Sequence, residues 1–271
     1  RSKSVLAQVK QIIAVASGKG GVGKSTTAVN LALALQAEGK SVGLLDADIY
    51  GPSIAMMMGV AEGTRPATAD GKSFTPVMAH GLETMSMAYL VSDKTPMAWR
   101  GPMASGALQQ LLEQTNWSEL DLLVVDMPPG TGDIQLTLAQ KAAVAGAVIV
   151  TTPQDIALLD AQKGIEMFTK VKIPVLGIVE NMAVHLCSNC GHEDHIFGSG
   201  GGEKVAADYS TQLLGSMPLD RSIRERGDSG LPSMAAEPES DIAQRYGTVA
   251  RQVIEQLAAL DDNSGPEIVF D

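Results

Sequence analysis

A glycine-rich stretch at residues 18–26 has the residue types and spacing that bind polyphosphates. It matches the pattern G-x-x-x-x-G-K-[S/T], and its candidate nucleotide-binding residues are Gly18, Lys19, Gly20, Gly21, Val22, Gly23, Lys24, Ser25 and Thr26. Glycines let successive backbone N–H groups point at an anion without side-chain collisions. We predict that Lys24 contacts the β and γ phosphates of ATP, that Ser25 binds Mg2+ and that Thr26 contacts the α phosphate.

The segments on either side of this stretch give the pattern its structural context. Residues 12–16 form a short apolar, β-branched run that predicts a strand, and residues 27–38 place leucines and valines among alanines, as a buried helix does. A phosphate loop lies between such a strand and such a helix, because the positive N-terminal end of the helix attracts anions. The context therefore favours a phosphate site over a plain glycine-rich turn.

Three aspartates follow or end predicted strands at positions suited to magnesium and water. Asp46 and Asp48 follow the apolar run at 40–45, and Asp126 ends a second apolar run. The carboxyl ends of parallel strands face the ligand edge of such a sheet. We predict that Asp46 lies near the water shell of Mg2+, that Asp48 orients the attacking water, and that Asp126 binds Mg2+ directly or through water. In the alternative interpretation, the two aspartates at 46 and 48 only cap a short helix at 53–58.

Cys187 and Cys190 are the two cysteines of the chain and lie three positions apart. A single C-x-x-C pair is compatible with a redox dithiol, half of a zinc site, half of an iron–sulfur site or two packing cysteines. The polar surroundings argue against packing, and the phosphate loop argues against a thioredoxin-like dithiol. Zinc could also recruit His192 and His195, although Cys190 and His192 are closer together than the halves of a zinc finger. If two chains meet, two thiolates from each supply the four ligands of a [4Fe-4S] cluster or of tetrahedral zinc.

Composition and segment order predict one large α/β domain. In the 271 residues, short β-branched runs alternate with segments rich in alanine and leucine, and only 4% of residues are aromatic. This alternation is typical of a doubly wound, mostly parallel sheet with helices on both faces. We predict a lead-in at 1–10, a single domain at 11–260 that includes a cysteine loop at 185–202, and a flexible acidic tail at 261–271.

The charge balance argues against some classes of partner. Lys and Arg number 20 against 31 Asp and Glu, which gives a net charge of −11. This charge disfavours general attraction to nucleic acid or to anionic lipid. No apolar run in the sequence reaches the ~20 residues that cross a bilayer, and no signal region follows residues 1–4. We therefore expect a cytoplasmic protein without nucleic-acid or membrane partners.

The second lysine of the phosphate loop carries a family resemblance. The run from Lys19 to Thr26 resembles the deviant Walker A loop of the group formed by MinD, ParA and the nitrogenase iron protein. The resemblance implies that Lys19 crosses a dimer interface to the nucleotide of the partner subunit. Lys19, Lys24 and Asp48 are accordingly the candidate catalytic residues.

The same resemblance implies a site for the adenine base. An asparagine and a turn of the type Pro-x-Asp hold adenine in that group, and Asn181, Pro218 and Asp220 match them here. For Arg100 two interpretations stay open, a contact with nucleotide or partner and an ordinary surface arginine.

Further motifs narrow the resemblance to the Mrp/ApbC class of iron–sulfur cluster carrier ATPases. They are Trp117–Asp121 leading into Asp126–Asp133, the cysteine pair, and the run Ile196–Gly202. The resemblance implies a homodimer that binds ATP and hydrolyses it slowly, holds a [4Fe-4S] cluster between its paired C-x-x-C motifs and transfers the cluster to apoproteins. Zinc in the same cysteines is the alternative for protein isolated in air. The nearby His185, His192 and His195 are not ligands in that class, and we expect them to be solvated loop residues.

Two other functions stay open on the sequence. A positioning ATPase like MinD or ParA, acting on membranes or DNA, calls for basic patches or a basic amphipathic tail, which the predicted helix at 237–260 and the acidic tail do not offer. A zinc-bridged scaffold that binds nucleotide without catalysis would hold one zinc ion per two chains and no sulfide.

Overall fold

The computed structural model describes residues 5–68, 70–90 and 101–263. These residues form an eight-stranded sheet, a separate two-stranded hairpin, and helices on both faces of the sheet. The strands are β1 (Val9–Ala16), β2 (Val42–Asp46), β3 (Val77–Ala79), β4 (Leu82–Ser86), β5 (Leu120–Asp126), β6 (Gly146–Thr151), β7 (Val175–Glu180), β8 (His185–Leu186), β9 (Glu193–Asp194) and β10 (Leu213–Ser216). The α-helices are α1 (Lys24–Ala37), α2 (Ile54–Met57), α3 (Gly101–Gln114), α4 (Asp133–Lys141), α5 (Asp155–Lys170), α6 (Gly201–Asp208), α7 (Arg221–Asp228), α8 (Ser233–Ala236) and α9 (Asp241–Asn263).

Strand β1 lies at the centre of the sheet. The strand order is β10-β7-β6-β1-β5-β2-β4-β3, and every pair is parallel except β3 with β4. Because β5 and β6 pair with β1 from opposite sides, the loop after β1 opens into the crevice where the direction of winding reverses. The predicted doubly wound, mostly parallel sheet is confirmed.

Alternate residues of β1 face two core layers, one on each side of the sheet. Ile12 and Ala14 pack with residues of α3, α4, α5 and α6, whereas Ile13 and Val15 pack with residues of α1, α8 and α9. A strand that is buried on both faces has no polar side, which is why the run is continuously apolar. In the described residues, no helix combines the length and the apolar character that a bilayer crossing requires.

Two elements extend a few residues beyond the predicted limits of the central domain, and the domain division itself stays a prediction. Strand β1 begins at Val9, inside the predicted lead-in, and α9 continues to Asn263, inside the predicted tail. The extra turn of α9 is held against β1, because the Gln11 amide donates to the Asp261 carboxylate at 3.3 Å. Hydrophobic periodicity does not predict a bond between residues so far apart in the sequence. The rest of the predicted tail, 264–271, lies outside the described residues.

Candidate functional site

The phosphate loop joins β1 to α1 in the form that the sequence predicts. Gly21 and Gly23 have φ angles of 82° and 83°, in the left-handed region that favours glycine. A Cβ atom built on Gly20 or Gly21 would meet no other atom within 4 Å, so open space surrounds this part of the loop. The loop lines a cavity of about 190 Å³ together with Asp48 and other residues. The open glycine backbone and the cavity fit a polyphosphate.

Lys24 lies at the centre of a buried charge cluster. Its Nζ donates to Asp126 Oδ1 and lies 3.5 Å from Asp48 Oδ2. The Ser25 hydroxyl donates to the other carboxylate oxygen of Asp126 at 2.6 Å. Serine hydroxyl and carboxylate oxygens are ligands that Mg2+ prefers, so the donor set fits that ion. The structure therefore brings together the predicted phosphate-binding lysine, two predicted Mg2+ ligands and the predicted water-orienting acid.

Asp48 has one carboxylate oxygen available for a further contact. Its Oδ1 is buried and has no hydrogen-bond partner among the described residues. Buried polar oxygens normally accept at least one hydrogen bond. Since Asp48 also lines the cavity of the phosphate loop, a water molecule in that cavity is a suitable donor.

Asp46 holds in place the segment that carries Asp48. Its fully buried carboxylate accepts hydrogen bonds from the backbone N–H groups of Asp48 and Ile54, each at 3.1 Å, and from the Ser86 hydroxyl at 3.2 Å. Because Ile54 is the first residue of α2, Asp46 bonds to the start of that helix, as the capping interpretation expects. Burial and the neighbouring Asp126 raise the pKa of Asp46 to about 7. Its contact with the water shell of Mg2+ stays a prediction.

Asp126 is the neighbour of Asp46 in the paired strands β2 and β5. Burial raises the pKa of Asp126 above its ordinary value, while Lys24 and the Ser25 hydroxyl lower it. Lys24 thus compensates a carboxylate that would otherwise be costly to bury. By contrast, the other lysine of the loop, Lys19, is partly exposed. That exposure is compatible with a contact to a second subunit, which stays a prediction.

Asn181 contacts the phosphate loop directly. Its side-chain Nδ2 donates to the backbone carbonyl of Val22 at 2.9 Å. The approach is so close that a Cβ atom on Gly23 would lie 2.1 Å from the same nitrogen. The structure therefore assigns Asn181 a bond to the loop, and its contact with adenine stays a prediction.

The predicted adenine turn follows β10 at the same edge of the sheet. Pro218 is buried, and the Asp220 carboxylate accepts hydrogen bonds from the backbone N–H and the hydroxyl of Ser222, at 2.7 and 2.6 Å. Asp220 thereby caps α7. The turn lies beside the chain that leaves β7, because Ala183 N donates to Met217 O at 2.9 Å. Base binding by Pro218 and Asp220 stays a prediction.

Cys187 and Cys190 lie in the turn of the hairpin formed by β8 and β9. The turn is closed by a bond from Gly191 N to Cys187 O at 2.8 Å and one from Cys187 N to His192 O at 3.0 Å. Both thiols are free, Cys187 partly exposed and Cys190 exposed. Backbone N–H groups of Asn189 and Cys190 lower the pKa of the Cys187 thiol. This favours the thiolate, which is the form that binds metals.

Of the three histidines expected to be solvated, His195 is exposed and His185 is partly exposed, and both also contact a backbone carbonyl. His185 Nδ1 lies 3.3 Å from the carbonyl oxygen of Leu219, and His195 Nδ1 lies 3.2 Å from that of Ala183. These contacts fix the base of the hairpin to the surrounding chain, a tertiary arrangement that sequence spacing does not encode. His192 is exposed. Within the part of the chain that the structure describes, no three His, Cys, Asp or Glu side chains are grouped closely enough to hold a metal ion.

Sequence reasoning missed Glu180, which sits at the end of β7 directly before Asn181. Its buried carboxylate accepts a hydrogen bond from Gly202 N at 2.7 Å. An acid at the end of an apolar strand was the available signal, the same one that identified Asp126. Arg100, for which two interpretations stay open, lies outside the described residues.

Comparison with known proteins identifies the family. Residues 8–254 match the family model described as ParA, NUBPL iron-transfer P-loop NTPase. The chain belongs to this family. The resemblance found in the phosphate loop and the cysteine pair is thereby confirmed at the level of the family, and P-loop NTPase is its general class.

Relatives within the NUBPL iron-transfer family are close in sequence. A protein of Pseudomonas fragi, named iron-sulfur cluster carrier protein, is 68% identical over 90% of this chain and 85% of its own length. One of the same name from Escherichia coli K12 is 65% identical over 92% of this chain and 67% of its own length. The mouse iron-sulfur cluster transfer protein NUBPL is 52% identical over 92% of this chain and 78% of its own length.

Solved structures resemble the chain over most of its length. A nucleotide-binding protein of Archaeoglobus fulgidus, in complex with ADP and with cobalt detected, is 38% identical with a TM-score of 0.77 over 90% of this chain and 96% of that one. The cell division ATPase MinD of Pyrococcus furiosus has a TM-score of 0.69 over 91% of this chain and 99% of its own, at 22% identity. The second likeness shows a shared fold.

Proposed function

We propose that two copies of this chain, each with bound ATP and Mg2+, hold a [4Fe-4S] cluster between their Cys187 and Cys190 pairs and transfer it to apoproteins. The observation that carries the proposal is the position of the C-x-x-C hairpin, which leaves the sheet next to the phosphate loop with both thiols free. The names of relatives that are 52% to 68% identical support the same cargo. The reducing cytoplasm, where thiols persist, is the compartment that we propose.

A shared cluster follows from the count of ligands on one chain. A [4Fe-4S] cluster takes four cysteine ligands, and each chain supplies two. A two-fold axis through the cluster would supply the other pair from an identical surface. The tight turn holds Cys187 where backbone N–H groups favour its thiolate. Half a site on each subunit makes binding and release of the cargo depend on how the two subunits are arranged.

The nucleotide half of the proposal rests on the buried charge cluster. Bound Mg2+ would supply charge for the phosphate oxygens, with the Ser25 hydroxyl and the Asp126 carboxylate as its protein ligands. Lys24 would exchange its contact with Asp126 for the β and γ phosphates. Asp48 would accept a hydrogen bond from the attacking water and orient it toward the γ phosphate. We propose that this hydrolysis is slow and is linked to loading or release of the cluster.

Anaerobic reconstitution tests the cargo. The unaltered chain and the double variant Cys187→Ser/Cys190→Ser are each incubated with iron and sulfide, desalted, and analysed for both elements and for the visible spectrum. We expect one cluster per two chains in the unaltered protein and none in the double variant. Ser188→Ala in the same turn is the matched control and should retain the cluster.

The outcomes separate the proposal from its rivals. Equal iron and sulfide retention in both proteins would remove the carrier function. Zinc at one ion per two chains, with no sulfide retained under anaerobic conditions, would support a zinc-bridged scaffold instead. Transfer is tested by adding an apoprotein that takes a [4Fe-4S] cluster, whose activity should recover at a rate that a chelator does not suppress.

A further inference from the structure

Glu180 and Asn181 occupy the point where the chain leaves the sheet for the cysteine hairpin. Glu180 ends β7 and pairs with Thr151 of β6 and with Ser216 of β10. The chain then runs through the hairpin and returns at Gly201, the first residue of α6. Both ends of the hairpin segment therefore lie next to these two residues.

Asn181 bonds to the phosphate loop, and its contacts leave it little freedom to move independently of that loop. The 2.9 Å bond joins its side-chain amide to the Val22 carbonyl, and its own backbone N–H donates to Thr151 O at 2.7 Å. Gly23 adjoins the same amide in the loop, at a distance that leaves no room for a Cβ atom. A shift of the Val22 peptide therefore changes or breaks a contact of Asn181.

Glu180 holds the other end of the hairpin segment. Its Oε2 accepts the N–H of Gly202 in the first turn of α6 at 2.7 Å, and a Cβ atom on Gly202 would lie 2.6 Å from that oxygen. The side chain is buried, and the bond from Gly202 ties it to the N-terminal end of α6. The position of α6, and with it the return of the hairpin, depends on this carboxylate.

The base of the hairpin is fixed between these two contacts. Ala183, two residues after Asn181, donates its N–H to Met217 O at 2.9 Å and accepts a contact from His195 Nδ1 at 3.2 Å. The contacts of Asn181 and Ala183 thus connect the Val22 carbonyl to the base of the hairpin whose turn carries the thiols. Interfaces packed this closely switch between discrete arrangements rather than deforming smoothly.

We infer that Glu180 and Asn181 are positioning residues that couple nucleotide binding at the phosphate loop to metal binding at Cys187 and Cys190. The inference rests on the proposed function, because it assumes that both ligands bind. Asn181 bonds to the phosphate loop, and the adjacent Glu180 bonds to α6, the helix to which the hairpin segment returns. A shift of the Val22 carbonyl moves Asn181 at one end of the hairpin segment. Because one peptide bond joins Asn181 to Glu180, the same shift reaches Gly202 at the other end. Coupling between two sites is reciprocal, so metal binding alters nucleotide affinity by the same factor.

Cobalt titration measures this coupling without relying on ATPase activity. Co2+ is added anaerobically to the purified protein, without nucleotide and with a non-hydrolysable ATP analogue and Mg2+ at concentrations that saturate each variant, and the thiolate-to-cobalt absorption gives the two dissociation constants. In the unaltered protein we expect them to differ by about fivefold or more, the lower end of typical coupling between sites. In Asn181→Ala and in Glu180→Gln we expect the ratio to fall to within about twofold of one.

Matched controls separate coupling from general damage. Asn116→Ala removes an exposed asparagine that is distant from Asn181 in the sequence. Glu193→Gln removes an exposed carboxylate from the hairpin itself. Both should keep the ratio of the unaltered protein. A merely structural role of Asn181 or Glu180 would weaken one or both affinities but leave the ratio intact, and that result would overturn the inference.

Two further outcomes keep the test decisive. If Asn181→Ala does not fold, Gly202→Ala probes the same joint from the other end, because its methyl group would press on Glu180. If the unaltered protein binds both ligands with a ratio within about twofold of one, the inference fails while the proposed function stands. If Co2+ does not bind, or binds equally to Cys187→Ser/Cys190→Ser, the proposed function fails first.

Discussion

At the scale of single residues, the nucleotide site concentrates three buried carboxylates around one lysine. Asp46, Asp48 and Asp126 are all less than a tenth exposed, and Lys24 contacts two of them. The three acids do different work because their partners differ. Asp46 accepts three hydrogen bonds from the protein, Asp126 is bonded to Lys24 and Ser25, and Asp48 alone keeps a buried oxygen without a partner among the described residues.

This difference predicts the effect of Asp48→Asn. The amide keeps the size of the side chain but is a much weaker acceptor for a water proton, so we expect kcat for ATP to fall by about 100-fold or more. Nucleotide affinity should change by less than about threefold, because the phosphate contacts come from the loop. Phosphate release and equilibrium nucleotide binding measure the two quantities. Asp155→Asn, an exposed acid at the start of α5, is the control, and an unchanged kcat in Asp48→Asn would remove its assigned role.

The sequence predicted which residues meet at the nucleotide site but not every task they perform. Lys24, Ser25 and Asp126 were identified because a fixed motif and strand ends determine their places. The capping bond of Asp46 to Ile54 was one of two open interpretations, since spacing alone does not decide it. The contact of Asn181 with Val22 joins residues 159 positions apart, which no local pattern specifies.

At the scale of elements, one aspartate aligns the amino ends of three strands. Asp121 in β5 accepts hydrogen bonds from Lys10 of β1 at 2.7 Å and from the Ser41 backbone N–H, just before β2, at 2.9 Å. Together with the Ser41 hydroxyl, these contacts lower the pKa of Asp121 below its ordinary value. The three strands that carry the phosphate loop and two of the site acids are thereby held in register at the opposite edge from the site.

The lowered pKa gives Asp121→Asn a defined pH dependence. The unfolded chain binds the proton at about pH 4 and the folded chain only at lower pH, so the stabilisation is complete above about pH 4 and is lost as the pH falls further. We expect Asp121→Asn to have a lower Tm than the unaltered protein at pH 7, with the gap closing as the pH falls below 4. Thermal melts by circular dichroism measure it. Glu255→Gln, an exposed acid on α9, should show no such trend, and a gap that widens in acid would contradict the assignment.

The elements themselves were predictable because their patterns are strong. Apolar runs of strand length alternate with alanine-rich helical segments, and this order alone indicated a doubly wound sheet. Element ends were less accurate: α1 begins at Lys24 rather than at residue 27, because the last residues of the phosphate loop already form its first turn. The small strand β3, which pairs antiparallel with β4, falls in a region where glycine and proline hide any period.

At the scale of the whole molecule, the proposed dimer predicts that Lys19 acts on the nucleotide of the partner. Lys19→Ala should then remove hydrolysis while each chain still binds nucleotide, and Lys24→Ala should remove hydrolysis by damaging its own site. Mixing the two variants should restore activity that neither shows alone, because in the mixed dimer a chain with Lys24 receives Lys19 from its partner. Phosphate release from the mixture is the measurement. Mixing either variant with inactive Asp48→Asn/Lys19→Ala/Lys24→Ala protein is the control, and an inactive first mixture would place Lys19 in its own site.

The cysteine hairpin is fixed at both of its ends, by Asn181 on the phosphate loop and by Gly202 on Glu180, while the turn with the thiols packs on little else. A segment anchored in this way is exchangeable. Its tip can be shortened, or replaced by a loop with other ligands, without disturbing the sheet that positions the nucleotide site. The same scaffold can therefore accept hairpins with other ligands, and the two anchors mark the positions at which such hairpins would be joined to it.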